Sequence, residues 1–289
     1  GYQFGDPWGV EQAIGTVKRL RYCNRFGTKT LFMPQAMGPF TDPAFRYWIP
    51  RLIKESSLFY IRDKQSFEEV SRLYPVQDLL LQPDIAWSFN AGDISVEDII
   101  AKYEIDKKKS TLCVTPNLRV YERHGEEYLS LLLMIIDLAY ARGYQIIVLG
   151  HELRVEQDKV DDRFLGRILK ERRPTLIHVD EFLSARQVKK LIGLCDFVVS
   201  SRFHALIAAF SQMIPAIAIG WSHKYDGLLA DVGLAGNSVA IPYKRDAAKS
   251  QIAACIDGTE TQKQTLRERV PDLCVRSENV LAAAIDVLR

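Results

Sequence analysis

The stretch FVVSSRFHALIAAFSQMIPAIAIGW, residues Phe197–Trp221, decides the fold that we expect for this chain. Its first three residues are a short apolar run, which is typical of a buried strand. Ser200 and Ser201 follow and are suited to cap a helix. Arg202 and His204 then fall in the first helical turn, and a proline ends the helix before a second apolar run. The pattern predicts a strand, a tight turn, a helix and another strand.

The predicted turn carries two side chains that can hold positive charge, Arg202 and His204. Ligands of parallel α/β sheets bind at the carboxyl ends of strands, next to helix N-termini. Free N–H groups and the helix dipole favour anions there. One interpretation is therefore an anion site. The other is a solvated arginine and a half-buried histidine at the start of an ordinary helix, and the turn alone does not decide between them.

Apolar runs alternate with helical patterns on both sides of this turn, which predicts the α/β class with parallel sheets. The strands predicted in the second half are Thr111–Thr115, Gln145–Leu149, Thr175–Val179, Phe197–Ser200 and Ala216–Ile219. Those predicted in the first half are Thr30–Met33, Leu58–Ile61 and Leu79–Leu81. The polar segment between the halves, Asn90–Ser110, is interpreted as a linker. We expect two Rossmann-like domains, residues 1–105 with the linker and residues 106–289 with C-terminal helices. Because three strands are few, the first domain is expected to be shortened at its N-terminus, and the activity of this fragment alone stays open.

Composition and charge exclude several classes of protein. The chain has 289 residues, a net charge of +2 and five cysteines that form no Cys-x-x-Cys pair. No global field favours nucleic acid, and the scattered thiols fit a reducing cytoplasm. No signal peptide or transmembrane segment is predicted. The five histidines lack the spacing of metal ligands, so no metal site is expected. The sequence has no glycine-rich phosphate loop, which disfavours nucleoside triphosphatases and ordinary dinucleotide enzymes. It has no Gly-x-Ser-x-Gly elbow, which disfavours serine hydrolases.

Four short motifs occur in order and together resemble a known family. They are Gln35-x-x-Gly38-Pro39, Arg62-Asp63-x-x-Ser66, Pro83-Asp84, and Ser200-x-Arg202-x-His204-Ala205-Leu206 followed by Pro215 and Lys224. This set is similar to the motifs of the polysaccharide pyruvyl transferase family and spans residues 34–224. The glycine-rich N-terminal region expected of the family is missing here.

The resemblance implies a fold like that of GT-B glycosyltransferases, with two Rossmann-like domains facing a cleft. It also implies transfer of the enolpyruvyl group of phosphoenolpyruvate to a sugar of a cell-surface or exopolysaccharide precursor, giving a pyruvate ketal. Phosphoenolpyruvate is the donor substrate and no cofactor is expected. Arginine suits its phosphate and carboxylate groups. The substrate-binding residues that the resemblance implies are Arg62, Arg202, Lys224, Gln35, Gly38, Ser201 and Asn117. His204 is the expected catalytic residue, because histidine transfers protons near neutral pH.

Two other functions stay open. A GT-B glycosyltransferase would use similar cations for the diphosphate of a nucleotide sugar, and a non-catalytic sugar-binding scaffold would tolerate loss of His204. The expected partners are phosphoenolpyruvate and a saccharide, with a lipid-linked form of the saccharide and an oligomer both left open. We expect a cytoplasmic location, with association at the inner face of the membrane also left open.

Overall fold

The structure is a computed structural model that describes residues 2–154, 161–220 and 224–289, with only the backbone at Lys224. These residues form two compact units, Gly1–Phe89 with Asp272–Arg289, and Asn90–Pro271. The predicted division lies between residues 105 and 106, whereas residues 90–105 here belong to the second unit. The end of the C-terminal helix belongs to the first unit. There the Oγ of Ser277 accepts a hydrogen bond from the Ser88 N–H and donates one to the Asp84 carbonyl.

The first unit is built around a parallel sheet whose four strands among the described residues follow chain order. The strands are β1 (Tyr2–Phe4), β2 (Leu31–Met37), β3 (Leu58–Ile61) and β4 (Leu80–Leu81). The helices that connect them are α1 (Val10–Asn24), α2 (Phe45–Glu55) and α3 (Lys64–Ser71). Because every connection links neighbouring parallel strands in the same right-handed sense, the three helices cover one face of the sheet.

The sequence prediction of three strands in the first half is wrong, because β1 is a fourth. It pairs with β2 in register Tyr2 with Ala36. A strand of three residues is too short to show the alternation on which strand prediction depends. The core under the helices is apolar and includes Val17 of α1, Ile49 of α2 and Ile61 of β3.

The second unit contains a parallel sheet with six strands in the described part, ordered β10-β9-β8-β5-β6-β7. The strands are β5 (Thr111–Thr115), β6 (Gln145–Leu149), β7 (Ile177–Val179), β8 (Phe197–Ser200), β9 (Ala216–Ile219) and β10 (Ser238–Val239). The predicted series of five strands is therefore confirmed, while the short edge strand β10 was not predicted. β5 lies in the centre, between β8 and β6.

The helices of the second unit lie between these strands and after them. They are α4 (Glu97–Lys102), α5 (Leu118–Tyr140), α6 (Arg163–Arg172), α7 (Ala185–Ile192), α8 (Phe203–Phe210), α9 (Lys224–Asp231), α10 (Arg245–Asp257) and the start of α11 (Thr259–Leu288). In α5 a first helical segment begins at Leu118 and ends before Gly125. Gly125 joins the two segments in a conformation (φ 52°, ψ −131°) that only glycine adopts easily.

The central strands are buried on both faces, as their continuous apolar sequences predict. The core on one face packs Val114, Ile146 and Phe197 against the apolar side of α5, which contributes Leu132 and Ile136. None of the described helices is both long enough and apolar enough to span a membrane.

Candidate active site

The turn between β8 and α8 sets Arg202 apart from the helix that follows. Arg202 is the N-cap of α8 in extended conformation, so the prediction that Ser200 and Ser201 cap the helix is wrong. The reason is that β8 remains paired with Thr115 of β5 as far as Ser200. Ser200 stabilises the turn differently, since its Oγ accepts a hydrogen bond from the Arg202 N–H at 2.9 Å. His204 is the second residue of α8.

The guanidinium of Arg202 lies between two carboxylates that differ in burial. Its Nε and Nη2 donate to the two oxygens of Asp162, at 2.9 and 2.5 Å. Its Nη1 donates to Oε2 of Glu152 at 2.6 Å. The side chain of Asp162 is 0% exposed, whereas that of Glu152 is 44% exposed. The guanidinium is thus anchored by a buried carboxylate, and its other partner is a carboxylate that is partly exposed to solvent.

Asp162 holds together the ends of three strands of the second sheet. Besides Arg202 after β8, it accepts hydrogen bonds from the Leu118 N–H after β5 at 3.0 Å and from the Glu152 N–H after β6 at 2.8 Å. A longer bond comes from the His151 N–H at 3.3 Å. A buried carboxylate needs such donors to offset its desolvation, and here they fix the loops that carry the candidate site.

Two imidazoles lie near Arg202. His204 is exposed, and His151 is half-buried after β6. Burial lowers the pKa of His151 to about 4, with smaller contributions in the same direction from the charges of His204 and Arg202. Near neutral pH His151 is therefore uncharged and able to accept a proton.

Ser201 and Asn117 are held in a hydrogen-bond network with two buried tyrosines. The hydroxyl of Tyr128 accepts from the Asn117 N–H at 3.0 Å and is 2.9 Å from the Ser201 Oγ. The Ser201 carbonyl accepts from the Asn117 side chain and from the Tyr225 hydroxyl. Burial raises the pKa of Tyr128, and it raises that of Tyr225 to about 12, so both hydroxyls stay protonated. The network fixes the turn that bears Arg202.

The predicted substrate-binding residues of the first unit lie at the ends of β2 and β3. Gln35 is in the last part of β2, Gly38 follows β2, and Arg62 follows β3. Arg62 is 9% exposed, and its Nη1 donates to Asp84 Oδ2 at 3.0 Å. Its N–H donates to the carbonyl of Gln35, which is buried. Gly38 has φ 85°, and its N–H donates to the Phe4 carbonyl. The motif residues of this unit are thus brought together at one end of its sheet.

Lys224 and the residues before it complete the predicted set. The side chain of Lys224, together with Trp221, Ser222 and His223, lies outside the described residues. Its role in substrate binding stays a prediction. In the described part of the chain no group of three or more His, Cys, Asp or Glu side chains is placed to hold a metal ion.

Three residues of the site were not selected from the sequence: His151, Glu152 and Asp162. The position of His151 and Glu152 directly after a strand was a usable signal, since polar groups after parallel strands share one edge of the sheet. Asp162 gave no such signal. It precedes α6, and its contact with Arg202 joins residues that are 40 positions apart.

Comparison with known proteins identifies the sequence relatives of the chain. The polysaccharide pyruvyl transferase family model matches residues 3–223. The amylovoran biosynthesis protein AmsJ from Erwinia amylovora is 25% identical over 282 residues, which are 92% of this chain and 67% of that protein.

Solved structures with a similar fold include complexes with UDP-GlcNAc and with UDP and glucose. The UDP-GlcNAc 2-epimerase from Neisseria meningitidis, bound to UDP-GlcNAc, matches with a TM-score of 0.59 and 10% identity, over 96% of this chain and 82% of that one. Anabaena HepE, in complex with UDP and glucose, matches with a TM-score of 0.59 and 14% identity, over 96% and 75% of the two chains. At such low identity the likeness shows the fold alone, which is α/β and GT-B-like, as predicted.

Proposed function

This chain belongs to the polysaccharide pyruvyl transferase family, and we propose that it transfers the enolpyruvyl group of phosphoenolpyruvate to a saccharide. The acceptor that we propose is a sugar of a cell-surface or exopolysaccharide precursor, and the similarity to an amylovoran biosynthesis protein supports this class. The observation that carries the proposal is the position of Arg202 and His204. Both follow the carboxyl end of β8, at the start of α8. A cytoplasmic location stays a prediction.

The proposed reaction moves two protons: two sugar hydroxyls each lose one, and the methylene carbon and the departing phosphate each gain one. A proton added to the methylene carbon of phosphoenolpyruvate makes C2 electrophilic, and a sugar hydroxyl attacks C2 and loses its proton. A second hydroxyl of the sugar then attacks C2, the C2–O bond to the phosphate breaks, and the proton of this hydroxyl passes to the departing phosphate. The products are the cyclic ketal and inorganic phosphate, so the atoms and charges of the two substrates are conserved.

Arg202 is the proposed ligand of the donor's phosphate or carboxylate. Its guanidinium is held by buried Asp162, which leaves the Nη1 side, now occupied by Glu152, for an incoming anion. An anion of the donor would replace the Glu152 carboxylate, so that the charge of Arg202 stays balanced in both states. Arg62, Lys224, Gln35, Gly38, Ser201 and Asn117 stay proposed contributors to substrate binding.

His204 is the proposed proton donor to the methylene carbon. It is exposed at the start of α8, next to Arg202, where the donor's anionic groups would bind. His151 is the proposed acceptor of a hydroxyl proton, because it is uncharged near neutral pH and the negative charges of bound phosphoenolpyruvate would raise its lowered pKa. General acid–base groups of this kind contribute about 10²–10⁴-fold to a rate.

The donor can be identified by thermal unfolding in the presence of candidate ligands. We expect phosphoenolpyruvate to raise the Tm, since a ligand that binds the native state stabilises it. UDP-glucose and UDP-GlcNAc should have little effect. Stabilisation by the UDP-sugars and not by phosphoenolpyruvate would instead favour a GT-B glycosyltransferase.

The role of His204 is tested by His204→Gln, with phosphate release from phosphoenolpyruvate measured in the presence of a pyruvate-free polysaccharide precursor. We expect kcat to fall by about 10²–10⁴-fold while the affinity for phosphoenolpyruvate changes little. If His204 only binds the anion, KM would rise and kcat would be largely preserved. A normal kcat in this variant would remove His204 from the proton transfer.

A further inference from the structure

The first two helices of the first unit carry an unusual concentration of positive charge. From the start of α1 to the end of α2, residues 10–55 contain eight lysines and arginines and three acidic residues, Glu11, Asp42 and Glu55, which gives this segment a formal net charge of +5. The whole chain has a net charge of +2. The field of the molecule is therefore strongly asymmetric, although the total charge is close to neutral.

The cations of α1 surround two large exposed rings. Tyr22 is 63% exposed and Phe26 is 70% exposed, and their ring centroids are 5.1 Å apart. On a helix with 100° per residue, Tyr22 points directly away from the buried side of α1, which includes Ala13 and Leu20. The exposed cations on this outward side and just after it are Lys18, Arg19, Arg25 and Lys29.

Helix α2 lies beside α1 and presents the same combination. Arg21 Nε donates to Glu55 Oε1 at 2.8 Å, which joins the two helices at their C-terminal ends. Tyr47 is 51% exposed, and the guanidinium of Arg51 lies over its ring at 3.2 Å from the centroid. Exposed Arg46 and Lys54 lie on the same helix. We call this surface, formed by Lys18, Arg19, Tyr22, Arg25, Phe26, Lys29, Arg46, Tyr47, Arg51 and Lys54, the basic aromatic face.

We propose that the basic aromatic face docks the protein on an anionic lipid membrane. Exposed aromatic rings next to lysines and arginines, on a helix whose other side is buried, have the composition of surfaces that lie in the membrane interface. The rings enter the headgroup region, while the cations bind anionic headgroups. A duplex nucleic acid or a polyacidic segment would satisfy the charge but would leave the cluster of Tyr22 and Phe26 without an apolar partner.

Most of the basic aromatic face lies at the other end of the first unit's sheet from the site residues of that unit. The C-terminal ends of α1 and α2 lie at the edge where β2 and β3 begin, because each helix runs antiparallel to the strands. Gln35, Gly38 and Arg62 lie at the opposite edge, where those strands end. Docking through Tyr22, Phe26 and the cations around them therefore takes place away from these residues. The inference rests on this surface alone and does not depend on the proposed reaction.

The test is flotation of the full chain with vesicles. We expect binding to an equal mixture of phosphatidylcholine and phosphatidylglycerol, little binding to phosphatidylcholine alone, and release when NaCl is raised from about 0.1 M to about 0.5 M. Lys18→Glu with Arg25→Glu should weaken binding at least about tenfold, since each cation near an anionic surface contributes to affinity. Tyr22→Ser with Phe26→Ser should weaken it about tenfold and preserve the salt dependence, because apolar burial is lost and the charge is kept.

The matched control is Lys108→Glu with Lys109→Glu, which makes the same change of charge at exposed lysines of the second unit. This variant should bind as the wild type does. Equal loss of binding in the control would overturn the proposal, as would failure of the wild type to bind the anionic vesicles. Loss of the far-UV circular dichroism signal is not expected at these exposed positions. Binding to tRNA and to polyglutamate is measured in the same way. Equally tight binding to either of them, unaffected by the tyrosine and phenylalanine changes, would also overturn the proposal.

Discussion

Arg202 has two acidic partners, and the difference in their burial gives them different roles. Asp162 is inaccessible and accepts several backbone N–H groups besides the guanidinium, so its removal would release the loops as well as the arginine. Glu152 is 44% exposed and lies where an incoming anion would bind. Exposed ion pairs contribute little to stability, which makes Glu152 easy to displace.

We therefore expect Glu152→Gln and Asp162→Asn to change the affinity for phosphoenolpyruvate in opposite directions. Glu152→Gln removes a competing carboxylate and should tighten binding, by up to about fivefold for an interaction of about 1 kcal/mol. Asp162→Asn loosens Arg202 and should weaken binding about 10- to 100-fold, the range for hydrogen bonds to charged groups. Isothermal titration calorimetry with phosphoenolpyruvate measures both changes.

The neighbouring residue provides the control for this pair. Asp161 is also buried, but it binds Arg163 instead of Arg202, so Asp161→Asn should lower stability without a specific loss of affinity. Glu122→Gln, at an exposed glutamate paired with Arg119, should leave affinity unchanged. Weaker binding in Glu152→Gln would contradict the displacement, and unchanged binding in Asp162→Asn would contradict the anchoring.

At the residue scale, the sequence identified the cationic turn but not what surrounds it. Arg202 and His204 stand out because they follow an apolar run that ends at a helix start, which is a local pattern. Glu152 and Asp162 come to Arg202 from 50 and 40 positions away. Contacts of that range depend on the order of strands in the sheet, which periodicity does not encode.

The packing of α6 on β7 depends on a glycine. Gly166 faces the ring of buried His178, and a Cβ built on Gly166 would overlap the imidazole. Substitution of this glycine would therefore force either the helix or the histidine to move. Gly227 in α9 is the opposite case, since a Cβ there would meet no atom within 4 Å.

We expect Gly166→Ala to lower the free energy of unfolding by about 1–3 kcal/mol, the usual effect of overpacking. Gly227→Ala should raise it by about 0.5–1 kcal/mol, because alanine favours the helix. Urea unfolding followed by circular dichroism measures both. The cost of Gly166→Ala should also shrink in a His178→Ala background, and equal costs in the two backgrounds would show that the ring is not the obstacle.

At the scale of elements, the strand bounds predicted from the sequence are most accurate for strands that are buried on both faces. Strands β5, β6, β8 and β9 have the predicted bounds, because strands covered on both faces are continuous apolar runs. The edge strands β1 and β10 were missed, since two or three residues carry no periodic signal. The predicted helix at Arg202 starts one residue later, because β8 holds Ser200 in its ladder.

The distribution of titratable groups differs between the two units of the molecule. All five histidines belong to residues 90–271, and none to the first unit. Burial lowers the pKa of His178, opposed by Asp180 and assisted by the cations Arg167, Lys170 and Arg163. Burial likewise lowers the pKa of His151 to about 4. Mild acid should therefore act on the second unit and spare the first.

The sign of this effect follows from the two states of each histidine. An unfolded histidine has a pKa of about 6.5, whereas folded His151 titrates near 4. Between these values the unfolded chain binds a proton that the folded chain does not bind, so the free energy of unfolding falls as the pH is lowered. Above about pH 6.5 the stability is fully present, and below about pH 4 no further loss comes from this group.

We expect the second unit to lose on the order of 2–3 kcal/mol per buried histidine between pH 7 and pH 4. Urea unfolding at a series of pH values, with limited proteolysis to assign the fragments, follows the two units separately. The double variant His151→Asn with His178→Asn, compared with its own stability at pH 7, should show a shallower dependence on pH in the second unit alone. Equal slopes in the wild type and the double variant would mean that carboxylates, not these two histidines, cause the acid sensitivity.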